Sequence, residues 1–249
     1  KLNEETTIEH SPSAISHINQ ICNIILKNRG LLEVSGTDAR NFLQGLVSND
    51  ITKVSEETTI YAALLSPQGK YLFDFFIFQL NGELVIDCEA NRIEELQQKL
   101  KMYKLRSEIE ICVKSDFVIS ALYGDAIYET FKFENSAGYS QSFLNGLAFI
   151  DPRISDMGGR AVIPCKNAEK ELSEGGFKAG NFDEYETLRL KLGVPDGSRD
   201  MIVDKAILLE NGFVELNGVD WNKGCYMGQE LTARTHYRGL IKKRLLPVE

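Results

Sequence analysis

Short apolar runs closed by turn residues alternate along this chain with stretches whose apolar residues recur every three or four positions. The first pattern marks strands, and the second marks helices with one buried stripe. Ile24-Ile25-Leu26, the turn Asn28-Arg29-Gly30 and Leu31 to Val34 read as a first strand pair. Gly36-Thr37-Asp38 opens a helix with Phe42, Leu43, Leu46 and Val47 on one face, ending at Ser48-Asn49-Asp50. Three apolar runs follow: Thr59 to Leu65, Tyr71 to Leu80 and Leu84 to Cys88, joined through Ser66-Pro67-Gln68-Gly69 and Asn81-Gly82. An Asn-Gly pair between such runs is a strong hairpin signal, because both residues accept positive φ. A helix from about Asn91 to Tyr103, with Ile93, Leu96, Leu100 and Tyr103 on one stripe, and a strand from Glu108 to Val113 complete the unit.

A weaker copy of this order begins at Phe117. It reads as a strand to Leu122, a short helix from Asp125, strands near Leu147 to Ile150 and Arg160 to Pro164, and a helix from about Phe182 to Leu192. That last helix is closed by Gly193-Val194-Pro195, a left-handed cap followed by proline. Lys166 to Gly180, which holds Gly175-Gly176, reads as a surface loop. Strands outnumber helices and tight turns join them, so the expected class is α+β, with mainly antiparallel sheets and helices packed on them. The expected divisions are a lead-in over 1–22, a first α+β subdomain over 23–115 and a second over 116–239.

With 249 residues there is room for one large domain or two modest ones. The formal net charge of -8 gives no global field toward polyanions, and Lys242-Lys243-Arg244 is the local basic candidate. Cys22, Cys88, Cys112, Cys165 and Cys225 are odd in number and form no CxxC pair. Neither a disulfide framework nor a zinc cage is suggested, and a reducing compartment is expected. No apolar run approaches the ~18 residues of a membrane span, and the N-terminus lacks a secretory pattern. The chain starts without Met and stops in the strand-like run Leu245-Leu246-Pro247-Val248-Glu249, so residues are expected to be missing at one or both ends.

Chemistry concentrates between Asn217 and Arg234. Met227 to Arg234 has the composition of a helix, which sets Cys225 at or just before its first turn. There, unpaired backbone N–H groups and the nearby Lys223 favour a thiolate, making Cys225 a candidate nucleophile, redox thiol or soft-metal ligand. A lone cysteine among glycines also fits a small buried residue. Gly224 and Gly228 allow close approach of a ligand or another chain, and Glu230 and Arg234 are spaced to pair along a helix. Trp221, the only tryptophan, suits a core position, a domain contact or a stacking wall. His10, His17 and His236 share no metal-ligand spacing, and no metal site is expected.

Lys223-Gly224-Cys225-Tyr226-Met227-Gly228-Gln229-Glu230, followed by Ala233-Arg234, resembles the signature of the YgfZ family. These are folate-binding relatives of the glycine-cleavage T protein and include a mitochondrial iron–sulfur assembly factor. Val34-Ser35-Gly36-Thr37-Asp38-Ala39, Phe42-Leu43-Gln44-Gly45 and Asn49-Asp50 are similar to the family's opening. Tyr61-Ala62-Ala63-Leu64-Leu65-Ser66-Pro67-Gln68-Gly69-Lys70 resembles its first hairpin, and Leu188-Arg189-Leu190 through Gly193-Val194-Pro195 its helix end before the signature. The likeness covers roughly residues 24 to 248. It implies a GcvT-like fold of intertwined α+β subdomains around a folate channel, then a C-terminal β-barrel of which 240–249, near Leu240, is the start.

The resemblance also implies that Asp74 faces the folate and that Tyr61, Asp87 and Trp221 line its site. Cys225 becomes the functional thiol, with Lys223, Gly224, Tyr226, Gly228, Gln229, Glu230 and Arg234 around it. Strand alternation alone puts Asp74 on the face of Leu72 and Phe76, either half-buried against a partner or facing a polar channel. Where aminomethyltransferases carry an acid in Leu-Arg-Leu-Glu, this chain has Leu188-Arg189-Leu190-Lys191. That reversed charge argues against aminomethyl transfer and leaves tetrahydrofolate binding open. The expected protein is a monomer that binds tetrahydrofolate or a one-carbon derivative and supports assembly or repair of iron–sulfur clusters with client or assembly proteins. No membrane or nucleic-acid partner is expected, and the compartment is bacterial cytoplasm or, second, the mitochondrial matrix. Two rivals stay open: one-carbon transfer as in the T protein, and an RNA- or protein-binding module using Arg238 and Lys242-Lys243-Arg244.

Overall fold

A computed structural model describes residues 21–124, 126–131, 136–239, 241 and 243–246. Most of the lead-in with His10 and His17, Asp125, Leu240 and Lys242 lie outside the described residues. The chain runs through β1 (Cys22–Ile25), β2 (Arg29–Ser35), α1 (Ala39–Gln44), β3 (Ile60–Leu65), β4 (Tyr71–Leu80), β5 (Glu83–Glu89), α2 (Ile93–Tyr103) and β6 (Glu110–Lys114). It continues through β7 (Phe117–Tyr123), α3 (Ile127–Phe131), β8 (Ser140–Phe143), β9 (Gly146–Ile150), β10 (Gly159–Pro164), α4 (Ala168–Glu174) and β11 (Lys178–Ala179). The last elements are α5 (Phe182–Lys191), α6 (Gly197–Asp200) and α7 (Gln229–Tyr237).

Two sheets carry the fold, in the orders β3-β4-β5-β2-β6 and β11-β1-β7-β10-β9-β8. The β4–β5 hairpin turns on Asn81 (φ 53) and Gly82 (φ 88), as its sequence requires. Leu31, Phe76 and Phe78 of the first sheet meet Ile119, Phe149 and Val162 of the second in one buried cluster, so the sheets pack face to face. Phe78 and Phe149 are fully buried there, each contributing roughly 1.5–3 kcal/mol of hydrophobic stabilisation. Helices α1 and α2 cover the outer face of the first sheet through Leu43, Leu96 and Leu100. Helix α4 covers the outer face of the second through Ala168 and Leu172. Tyr185, Val194, Leu208, Phe213 and Tyr226 then return to the inter-sheet core, so the last part of the chain closes the margin of the sandwich.

The expected first strand pair does not form. β1 pairs with β7 and β11, with Cys22 opposite both Tyr123 and Lys178, while β2 lies between β5 and β6. Leu26 to Asn28 carries the chain from one sheet to the other, and the subdomains are intertwined from their first strand. Lys166 to Gly180 is not a loop, since it holds α4 and β11. Leu172 gives that helix a buried anchor despite its polar surface. Strand β8 (Ser140–Phe143) was not legible in its polar residues. Helix α1 stops at Gln44, and Val47 continues as a bridge to Leu64.

Alternation fails at one informative place. The β3–β4 register runs from Leu64 opposite Phe73 to Leu65 opposite Tyr71, so Leu72 is a bulge. The bulge turns Leu72 toward the helix side with Phe73 and Phe75, and it puts Tyr71 in the inter-sheet cluster with Phe76. Asp74 therefore shares its face with Tyr71 rather than with Leu72.

Candidate functional site

The signature loop is built outward from Asp220. Its Oδ1 accepts from the backbone N–H groups of Asn222 (2.7 Å) and Lys223 (2.9 Å), and its Oδ2 accepts from Lys53. This Asx-type turn aims Lys223 inward. The Lys223 side chain is buried, and its Nζ donates to the carbonyls of Gln44 (2.9 Å), Val47 (2.6 Å) and Asn49 (2.8 Å), around and beyond the end of α1. Carbonyls at a helix end have no partner within the helix, and here a lysine supplies part of what is missing. Burial pushes the Lys223 ammonium down to about 8, against the pull of the Asp50 and Asp220 carboxylates. Lys223 is thus an anchor, not the cation that activates Cys225.

The other side of the loop is clamped by glycine. Gly228 adopts φ 78, and a Cβ there would come within 2.5 Å of the Ser66 carbonyl oxygen. Its neighbour across the contact, Gly69 (φ 79), would bring a Cβ within 2.6 Å of Leu231 Cβ. The Ser66–Gly69 turn and the start of α7 therefore meet backbone to backbone. Gln229 is half-buried, and its N–H donates to the Tyr226 carbonyl, while the Tyr226 ring lies in the inter-sheet core. Between the two clamps Gly224 and Cys225 are exposed, and a Cβ on Gly224 would meet nothing within 4 Å. Cys225 lies three residues ahead of the Gly228 cap, just outside the first turn of α7. Glu230 and Arg234 are exposed and form no ion pair among the described residues, which corrects the expected pairing.

Asp74 is buried and accepts from both Tyr61 Oη (2.8 Å) and Tyr71 Oη (2.6 Å). Burial raises its pKa, opposed by those two hydroxyls and by the Arg29 guanidinium. Asp87 is fully buried and bridges the sheets: its carboxylate accepts from Arg29 on β2 (2.7 Å) and from Arg160 on β10 (2.6 Å). Both carboxylate oxygens are engaged in holding the sandwich together, and Asp87 lines none of the described cavities. Three guanidiniums surround the Phe76 ring, with Arg160 at 4.2 Å, Arg153 at 4.8 Å and Arg29 at 5.8 Å from its centroid. Arg153 is paired with Asp151 at 2.8 Å. These three arginines were missed by the sequence reading. The available signal was Arg160 inside the apolar run Arg160-Ala161-Val162-Ile163, a charge that needs a buried partner.

A pocket of about 470 Å³ lies beside the loop, lined in part by Asn49, Lys53, Tyr61, Asn217 and Trp221. Trp221 is half-buried and stacked on His236, with ring centroids 3.9 Å apart and planes at 18°. The structure thus brings Tyr61 and Trp221 to one cavity with Asp74 directly behind Tyr61, while Asp87 and Cys225 stand elsewhere. Lys191 is exposed near the end of α5 and lines none of the described cavities. Among the described residues no group of three or more His, Cys, Asp or Glu is arranged to hold a metal ion. No described helix is long and apolar enough to cross a membrane.

No family model matches the chain. It is similar to a protein of Dictyostelium discoideum named iron-sulfur cluster assembly factor IBA57 homolog, mitochondrial, with 34% identity over 256 residues, covering 91% of this chain and 62% of that protein. It is similar also to the iron-sulfur cluster assembly factor IBA57, mitochondrial, of Mus musculus, with 31% identity over 240 residues, covering 90% of this chain and 65% of the mouse protein. The chain spans less than two thirds of the length of these relatives. Among solved structures it resembles glycine cleavage system aminomethyltransferase T from Bartonella henselae, with a TM-score of 0.72 and 15% identity over 89% of this chain and 64% of that one. At that identity the likeness establishes the α+β fold and nothing about activity.

Proposed function

Because the chain belongs to the YgfZ family, which includes iron–sulfur cluster assembly factors, we propose that it is a tetrahydrofolate-binding accessory protein supporting assembly or repair of iron–sulfur clusters in client enzymes. The observation that carries the proposal is the exposed Cys225 thiol on a loop fixed at both ends, by Lys223 and by Gly228. A cysteine serving only to pack would be buried, as Cys88 is. A cluster held through Cys225 would draw its remaining ligands from a partner protein, since the described residues offer no multidentate set. The mitochondrial names of the relatives favour the matrix over bacterial cytoplasm.

The pocket supports the folate part of this reading. It offers the half-buried Trp221 side chain to a planar head group, with the amide residues Asn49 and Asn217 beside it and the buried Tyr61, stacked on Phe213, in the floor. Asp74 positions Tyr61 through its hydroxyl. Asp87 acts through the scaffold. Replacement of Cys225 by Ser in cells lacking the native protein tests the proposal. Cluster-enzyme activity is expected to stay low although the variant accumulates normally, and full restoration would contradict the role given to the thiol. Tetrahydrofolate titration tests the cofactor separately, and no binding at millimolar ligand would remove it.

A further inference from the structure

We propose that Lys53 is a specificity-determining residue of the Trp221 pocket, released from Asp220 to take the carboxylate tail of a planar-headed ligand. The inference rests on the folate-binding reading above. It names how the site would tell a glutamylated folate from the head group alone.

The pocket is graded from a buried floor to a wet mouth. Tyr61 and Thr59 are buried at the floor. The polar groups there already have partners: Thr59 Oγ1 meets Ser140 Oγ at 2.7 Å, and Asn49 Nδ2 donates to the Tyr61 and Asn217 carbonyls, each at 2.8 Å. They shape the wall, and none of them is a cation for an anionic group. Trp221 is stacked on His236, packs against the inter-sheet core and contributes part of the pocket lining. At the mouth, Lys53 is the single cationic residue lining this pocket among the described residues, and its side chain is 55% exposed.

Lys53 is now paired with Asp220, whose side chain is only 5% exposed. Asp220 keeps its position without that pair, because its Oδ1 holds the backbone N–H groups of Asn222 and Lys223. When Lys53 turns toward a ligand, the Asp220 carboxylate keeps two hydrogen bonds and the signature loop keeps its turn. Taking a ligand carboxylate in place of Asp220 at a solvent-facing ammonium gives a modest and salt-sensitive gain, up to about fivefold in affinity. The pocket itself supplies the rest of the binding.

The experiment titrates the wild-type protein, K53A and K53R with tetrahydropteroate, tetrahydrofolate and tetrahydrofolate triglutamate at low and high salt. The wild type is expected to prefer the triglutamate, and to lose that preference at high salt. K53A should weaken the triglutamate several-fold, leave tetrahydropteroate unchanged and abolish the salt dependence, while K53R retains the wild-type order. An equal effect of K53A on all three ligands, or no effect on any, overturns the assignment of Lys53. Failure of the wild type to bind any of the three contradicts the folate reading itself, and the role of Lys53 with it.

Discussion

Lys223 and Cys225 are separated by a single glycine, yet the lysine is buried with its ammonium against three carbonyls and the cysteine is exposed. Their adjacency in sequence suggested a cation activating a thiol, but the direction of a side chain is not written in its spacing. Replacing Lys223 by Met removes charge-assisted hydrogen bonds and leaves buried carbonyls without donors, so a loss of roughly 2–4 kcal/mol is expected in urea unfolding. The two signature glycines should separate cleanly in the same assay. Gly228→Ala forces a Cβ into a left-handed residue and against the Ser66 carbonyl, with an expected cost of roughly 2–4 kcal/mol. Gly224→Ala meets open space and should leave stability unchanged. Any functional defect of Gly224→Ala would then report on something that approaches the loop from outside. The Trp221–His236 stack had no local signal, because the two residues meet only after α7 folds back.

At the scale of elements, the Ser66–Gly69 turn and α7 form one contact, since each glycine sits where the other's backbone needs room. Gly69→Ala and Gly228→Ala should therefore be non-additive by at least about 0.5 kcal/mol in a double-mutant cycle, because the first already opens the gap the second would crowd. Strands β3, β4 and β5 were readable because their pairing is local and their turns carry diagnostic residues. The partners of β1 were not, because Tyr123 and Lys178 lie far along the chain and no nearby pattern refers to them. The face of Asp74 was assigned correctly relative to Phe76 and wrongly relative to Leu72, because a single-residue bulge leaves the apolar run intact. Within the candidate site, the motif around Cys225 stood out by its residue types, and the partners of Lys223, Asp87 and the buried arginines became clear only from the fold.

Across the whole molecule, the two sheets are joined by apolar packing and by Asp87 between Arg29 and Arg160. Asp87→Asn leaves buried guanidiniums short of a counter-charge and should cost about 3–5 kcal/mol, read as a fall in melting temperature on the order of 10 °C. Acid should act in the same direction. Burial alone would raise Asp151 and Asp220, but the Arg153 guanidinium and the Lys53 ammonium respectively hold each below the usual carboxylate range. Such groups contribute stability above their unfolded pKa and lose it as pH falls through the lower folded value. Asp74, raised by burial, works the other way, because protonation on acidification relieves its desolvation. Urea midpoints followed down to about pH 3 should therefore fall, and fall more steeply in Asp74→Asn. The central claim, that the exposed Cys225 thiol is what this scaffold presents, is met most directly by complementation with Cys225→Ser beside Gly224→Ala at matched protein levels. Cys225→Ser is expected to fold with wild-type stability and to leave iron–sulfur enzyme activity near the level of cells lacking the protein. Wild-type activity with Cys225→Ser would contradict it.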